Sequence, residues 1–172
     1  MNVTDYRRRG TLAFGLLAML LGVAAWAGEK PQVRVEGAET VGPRTLEDQT
    51  REAVVRDYLA AWQTMGKALA DNNGSQLNAD FVGFAKDRLA KTIRDQQKLN
   101  ITTRYQDRRH DISLIFYSPE GLSVQLLDNV EYDVQILDHD KLQATQHVRA
   151  RYIAVLSPTE VQWKVRILQA TQ

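Results

Sequence analysis

A chain of 172 residues with 44% hydrophobic and 25% charged residues has the size of one domain plus accessory segments, and its composition excludes both wholesale disorder and a polytopic membrane protein. Its 22 basic and 21 acidic residues nearly cancel, which excludes the concentrated basic excess of a nucleic-acid or polybasic membrane-surface protein. Cysteine is absent, so any folded domain is held by its core without disulfides.

Residues 1–27 predict an export signal. Arg7, Arg8 and Arg9 precede an uncharged run from Thr11 to Ala27, and Ala25-Trp26-Ala27 before Gly28 fits the small-x-small rule of signal peptidase. The alternative is an uncleaved membrane anchor, since the run is at the short limit for spanning a bilayer and Trp26 suits the interface. Either reading places the remainder outside the cytoplasm, periplasmic or secreted, with the membrane met only through residues 11–27. Residues 28–44 carry Gly28, Gly37, Gly42, Pro31 and Pro43 without a sustained period and read as a flexible linker.

The folded domain is expected over residues 45–172. Thr45 can cap a helix with Asp48 three positions on, a capping-box spacing with Asp in place of Glu. Val54, Tyr58, Trp62, Met65 and Leu69 then form the stripe of an amphipathic helix that ends at Asp71-Asn72-Asn73-Gly74. A second helix is predicted from Phe81, Ala85, Leu89 and Ile93, with Gly83 near its start. Lys86, Asp87, Lys91, Arg94, Asp95 and Lys98 make its solvated face. The helical period accounts for the aromatic and Met residues as core rather than as a cofactor box.

From Ile101 onward the period changes from 3.6 to 2, and four strands follow. The first keeps Ile112, Leu114 and Phe116 in phase; the second keeps Leu122, Val124, Leu126, Val130, Tyr132, Val134 and Ile136; the third keeps Val148, Ala150, Tyr152, Ala154 and Leu156. The fourth uses the odd residues Val161, Trp163, Val165 and Ile167. Pro119-Glu120-Gly121 makes the first hairpin loop, with Gly at a left-handed position. That register sets Ile112 opposite Asp128 and His110 opposite Val130. Asp138-His139-Asp140-Lys141 is a turn that needs an odd loop length to preserve phase, and a four-residue loop from Ser157 to Glu160 would pair Leu156 with Val161.

Helices followed by an antiparallel meander define an α+β fold. With the pieces RDYLAAW, ARYIAVL and VQWKVRILQ, the chain resembles the nuclear transport factor 2-like, or cystatin-like, superfamily over residues 45–172. The resemblance implies N-terminal helices packed on a curved antiparallel sheet, a cone-shaped roll whose interior is either packed shut or left open as a pocket. Family enzymes such as ketosteroid isomerase and scytalone dehydratase place Asp, His or Tyr on the pocket-facing sheet, where this chain offers His110, Asp128, Tyr132, Gln146 and Tyr152. The resemblance also implies pairing through the outer sheet face, here Gln125, Glu131, Gln135, Arg149, Arg151, Ile153 and Val155.

Asp128 is the one carboxylate in the apolar phase of its strand, and it has three readings. A bulge at Leu127-Asp128-Asn129 would turn it outward. Facing inward, it would be satisfied by His110 or a Tyr hydroxyl as a structural group. As a catalytic group it would be the base, with His110 as partner and Tyr152 or Tyr132 as hydrogen-bond donor. His139 lies in a turn and His147 in the outward phase, so the three His residues make no shared metal site, and no glycine-rich phosphate loop or nucleophile elbow is present. No cofactor is expected. The leading expectation is a non-enzymatic binding or assembly module with a protein partner, a second copy or a small apolar ligand. The alternative is a small lyase- or isomerase-like enzyme on an apolar substrate. A sheet face filled by Trp62, Phe84 and Trp163 would leave no room for that substrate.

Overall fold

The computed structural model describes residues 30–36, 42 and 44–171; the predicted signal or anchor over residues 1–27 lies outside them. Helix α1 (Asp48–Ala70) carries the predicted stripe, and Val54, Tyr58, Trp62, Met65 and Leu69 are all buried. Burial of each large side chain contributes about 1.5–3 kcal/mol. The helix starts later than the Thr45 cap predicted. Leu46 is buried, and the backbone stays extended through Glu47, so Thr45 to Glu47 serve to carry Leu46 into the core. A 3-10 turn (Gly74–Asn78) leads to α2 (Gly83–Leu99). Gly83 opens α2 with φ +54, a backbone conformation that glycine adopts without steric cost. Phe81 belongs to the core, but as the bridge partner of Val165 rather than as a helical residue. Phe84 is exposed and does not fill the sheet face as expected.

Five strands form one curved sheet in the order β1-β2-β3-β4-β5: β1 (Gln32–Glu36), β2 (Ile101–Tyr117), β3 (Val124–Asp138), β4 (Lys141–Pro158) and β5 (Trp163–Thr171). The last four are an antiparallel meander, and the helices pack on its concave face, as the α+β reading required. Strand β1 corrects the reading of residues 28–44 as linker throughout. Gln32–Glu36 pair in parallel with Arg109–Ser113 because β2 would otherwise leave its backbone edge unpaired there.

The register Ile112 opposite Asp128 and His110 opposite Val130 is as read from the loop. The phase beyond it is reset by irregularities that strict alternation cannot reveal. An extra residue at Ile115 carries Tyr117 into the core and leaves Phe116 partly exposed. Leu122 lies in the loop and is exposed as well. The β3–β4 turn has two residues, His139 and Asp140, both at positive φ, and the predicted odd loop length is replaced by one extra residue, Gln143, on β4. Leu156 pairs with Val165 rather than Val161, because the β4–β5 strands begin pairing only at Pro158 and Trp163. Val161 is therefore exposed, and the extra residue Arg166 shifts the inward phase of β5 from Val165 to Leu168. The buried Asp57 carboxylate accepts the Trp163 N–H at 2.8 Å, which fastens the start of β5 to α1.

Two non-glycine residues in the left-handed region make the β3–β4 turn a testable point. Replacing His139 by Asn and Asp140 by Gly is expected to stabilise the protein by about 0.5–1 kcal/mol, since Asn-Gly is the preferred pair for this hairpin geometry. The urea midpoint measures it, and a midpoint that does not rise refutes the turn assignment.

Candidate functional site

Asp128 points inward and is fully buried (0% exposed), so the outward bulge at Leu127-Asp128-Asn129 does not form. Its place on β3 follows from the same alternation that buries Val124, Leu126, Val130 and Tyr132. Across the hairpin, His110 is also 0% exposed, and its Nδ1 lies 2.6 Å from Asp128 Oδ2. From the helix above, the Tyr58 hydroxyl donates to the same oxygen at 3.0 Å. One turn along α1, Trp62 covers the group, edge-on to His110 and Tyr152 with ring centroids 5.3 Å from each, and tilted against Tyr132 at 5.9 Å.

The predicted cluster is thus divided. His110 and Asp128 form one buried pair, while the Tyr132 and Tyr152 hydroxyls meet each other at 3.3 Å in a separate contact. Gln146 does not join either, because β4 runs beyond the core at that point and the side chain is exposed opposite Val134. Three residues that alternation did not place complete the site. Tyr58 and Trp62 stand on a stripe whose apolar spacing says nothing of where a hydroxyl or indole reaches. Asp107 occupies an odd position, yet the extra residue Arg108 in β2 brings it onto the concave side with His110, opposite Tyr132. A bulge of this kind re-aims a side chain. Asp107 Oδ2 lies 3.9 Å from His110 Nε2.

The electrostatics follow from these distances. Burial works against the charged imidazole, but the carboxylates of Asp107 and Asp128 outweigh it and raise the His110 pKa to about 9. Burial, followed by the negative charge of Asp128, pushes the Tyr58 hydroxyl well above its ordinary value. Burial, followed by the bond to Tyr152, does the same for Tyr132. At neutral pH the group is an imidazolium held by Asp128 on one nitrogen, with Asp107 beyond the other. A cleft of about 230 Å³ reaches His110 and Asp107 from the edge of the sheet, and another of about 280 Å³ touches Tyr105 and Tyr152 under α2. His139 sits in its turn, and His147 bonds Asp133 on the outer face at 2.8 Å.

No family model matches the chain, and no curated protein matches it. Among solved structures it is similar to the intermembrane space region of chloroplast protein ARC6, at 14% identity and a TM-score of 0.59, covering 74% of this chain and 98% of that one. It is also similar to a putative scytalone dehydratase from Novosphingobium aromaticivorans, at 16% identity and a TM-score of 0.51, covering 73% and 89%. The likeness is one of fold: the chain has the nuclear transport factor 2-like architecture, helices on a curled and unclosed sheet.

Two outcomes test the buried pair. Asp128→Asn is expected to cost about 2–5 kcal/mol of unfolding free energy, because an imidazolium loses its paired charge in a sealed site; a neutral effect on chemical denaturation contradicts the pairing. The folded protein holds a proton on His110 that the unfolded chain releases at its ordinary pKa of 6.5, so this contribution is complete below about pH 6.5 and is lost as pH rises through about 9. Stability of the wild type should fall across that window, and Asp128→Asn should flatten the fall.

Proposed function

We propose that the chain is a non-enzymatic binding or assembly module, exported by residues 1–27, which presents the outer face of its sheet to a protein partner or a second copy. The observation that carries this reading is the closure of the interior over Asp128. The carboxylate has no exposed surface, Tyr58 and His110 occupy the oxygen that faces them, and Trp62 is packed on three rings where a substrate would lie. Buried acids arranged this way hold a core together.

The outer face has the opposite character. At one end Leu127, Ile153, Val155 and Ile167 stand half-exposed side by side on β3, β4 and β5. At the other end charges are interlaced, with Arg108 and His147 on Asp133, and Arg149 on Glu131 at 3.1 Å. An apolar patch bordered by interlaced charges suits a protein interface. Gln125, Gln135 and Arg151 lie on this face as expected.

One observation favours a second reading, a small lyase- or isomerase-like enzyme: a carboxylate-held imidazole is a proton-transfer arrangement. In that reading Asp128, predicted as the base, would orient His110 rather than meet substrate, since its own oxygens are sealed.

Sedimentation equilibrium of the full chain at tens of micromolar tests the interface. The expected result is a dimer that Ile153→Glu weakens about tenfold or more, roughly 1.4 kcal/mol, with unchanged thermal unfolding of the fold. A monomer with no partner recovered through this face, or a dimer indifferent to Ile153→Glu, overturns the reading.

A further inference from the structure

Strand β4 runs on past one of its neighbours. Its pairing with β5 covers Arg151–Pro158 and ends at the Arg151–Thr171 pair, while its pairing with β3 continues to Lys141. Lys141–Ala150 therefore have β3 on one side and no strand on the other among the described residues. No backbone hydrogen bond from outside the sheet reaches them either. In an antiparallel strand the N–H and C=O groups of alternate residues point away from the paired neighbour, so this edge carries a row of unpaired donors and acceptors. Lys141–His147 are exposed without a break.

Proteins blunt such edges with proline, bulges or inward-pointing charge. β4 has a bulge at Gln143, close to the turn, but from Ala144 to Ala150 it pairs with β3 in unbroken register and contains no proline. Ala144, Gln146, Val148 and Ala150 share the concave phase of that run and are all uncharged, and Val148 and Ala150 pack against the core.

Charge decides which strand fits. β4 has Lys141, Arg149 and Arg151 and no acidic residue, whereas β3 has Asp128, Glu131, Asp133 and Asp138 and no basic one. On the outer face the paired side of β4 sets Arg149 opposite Glu131 and His147 opposite Asp133. The Arg149 side chain stays 74% exposed beside its 3.1 Å contact with Glu131. Arg151 donates to the neutral Asn129 at 3.0 Å. Both guanidiniums keep N–H donors for a neighbour on the open side. A second copy of β4 offers no acid in any register and brings basic residues together, which is destabilising. A strand with the chemistry of β3 instead places acids on the outer face and an apolar side chain between them on the inner one.

We propose that the open edge of β4, over Ala144–Arg149, accepts an extended segment of a partner protein as an added strand, and that this segment has the pattern acid–apolar–acid, its acids beside His147 and Arg149 and its apolar side chain beside Val148. Backbone hydrogen bonds supply the affinity, and the alternating side chains select the partner. The surface is the edge of the sheet rather than its outer face, so it stands whether or not that face is an interface.

The probe is an amidated, N-terminally labelled peptide with the sequence of Asn129–Gln135, NVEYDVQ, which carries this pattern. Its counterpart has Lys in place of Glu and Asp. Titrated with the full chain, the acidic peptide is expected to bind with a Kd of order 0.1 mM or tighter by fluorescence anisotropy. At saturation it should slow amide hydrogen exchange of alternate residues within Ala144–Arg149 about tenfold or more. The Lys peptide should bind at least about tenfold more weakly, and Arg149→Glu should reverse the preference. If that variant does not fold, the two peptides on the wild type give the same discrimination. The proposal is overturned by the absence of saturable binding at millimolar peptide, by equal binding of the two peptides, or by binding that leaves exchange at Ala144–Arg149 unchanged. Exchange there that slows with protein concentration alone assigns the edge to a second copy and overturns it too.

Discussion

Burying a carboxylate is costly unless it is paired and hydrogen-bonded, and Asp128 meets that requirement with partners from two other elements. His110 comes from the neighbouring strand and Tyr58 from the helix that lies across the sheet. The two contacts converge on a single oxygen, so they constrain the rotation of α1 and the register of β2 against β3 together. With Tyr58 held there, the next turn of the helix sets Trp62 over His110, Tyr132 and Tyr152. A slip of one residue in β3 would put Asp128 in solvent and Leu127 in the core, leaving an unpaired imidazolium inside. A hydrophobic residue of similar size could fill the space with less electrostatic cost, but it would specify neither the register nor the helix rotation.

The sheet reaches this arrangement through its irregularities. Long strands that wrap a helix must bend, and each extra residue bends a strand while reversing its inward phase. Arg108 brings Asp107 and His110 to the same face although they are three apart in sequence. Ile115 buries Tyr117, Gln143 lets a two-residue turn follow an in-phase strand, and Arg166 exchanges Val165 for Leu168. The curvature that accommodates α1 and the side-chain set that meets it therefore have one cause.

Three regions of different chemical character result. The interior is closed by aromatic rings over a buried ion pair, the β1 edge carries a small cleft beside that pair, and the outer face sets an apolar patch beside interlaced charges. The same fold carries a protein described as a putative dehydratase and a region of an organelle protein. Fold alone does not choose between such roles, and the choice rests on which side chains a ligand or partner can reach.

Much of the fold is local and was legible for that reason. The 3.6-residue stripe of Val54 to Leu69, the change to period 2 after Ile101 and the glycine at position 121 each depend on neighbours in the chain, and they yielded the helices, the meander and the pairing of Ile112 with Asp128. The presence of an odd carboxylate among apolar residues was likewise visible. What it does was not, since the partner hydroxyl of Tyr58 is 70 positions away on a helix whose spacing looks purely apolar. Strand β1 escaped notice because its five residues are all exposed and carry no burial pattern; only the unpaired edge of β2 makes them a strand. Asp107 was hidden by a bulge, Gln146 was misplaced because alternation does not say where a strand outruns its core, and Phe84 because helical spacing does not say which flank the sheet covers. Sequence periodicity determined which elements form and which faces are apolar, because those are contacts between near neighbours. Tertiary structure alone decided which polar groups meet, because hydrogen bonds across the core depend on bulges and helix rotation that no repeating pattern encodes.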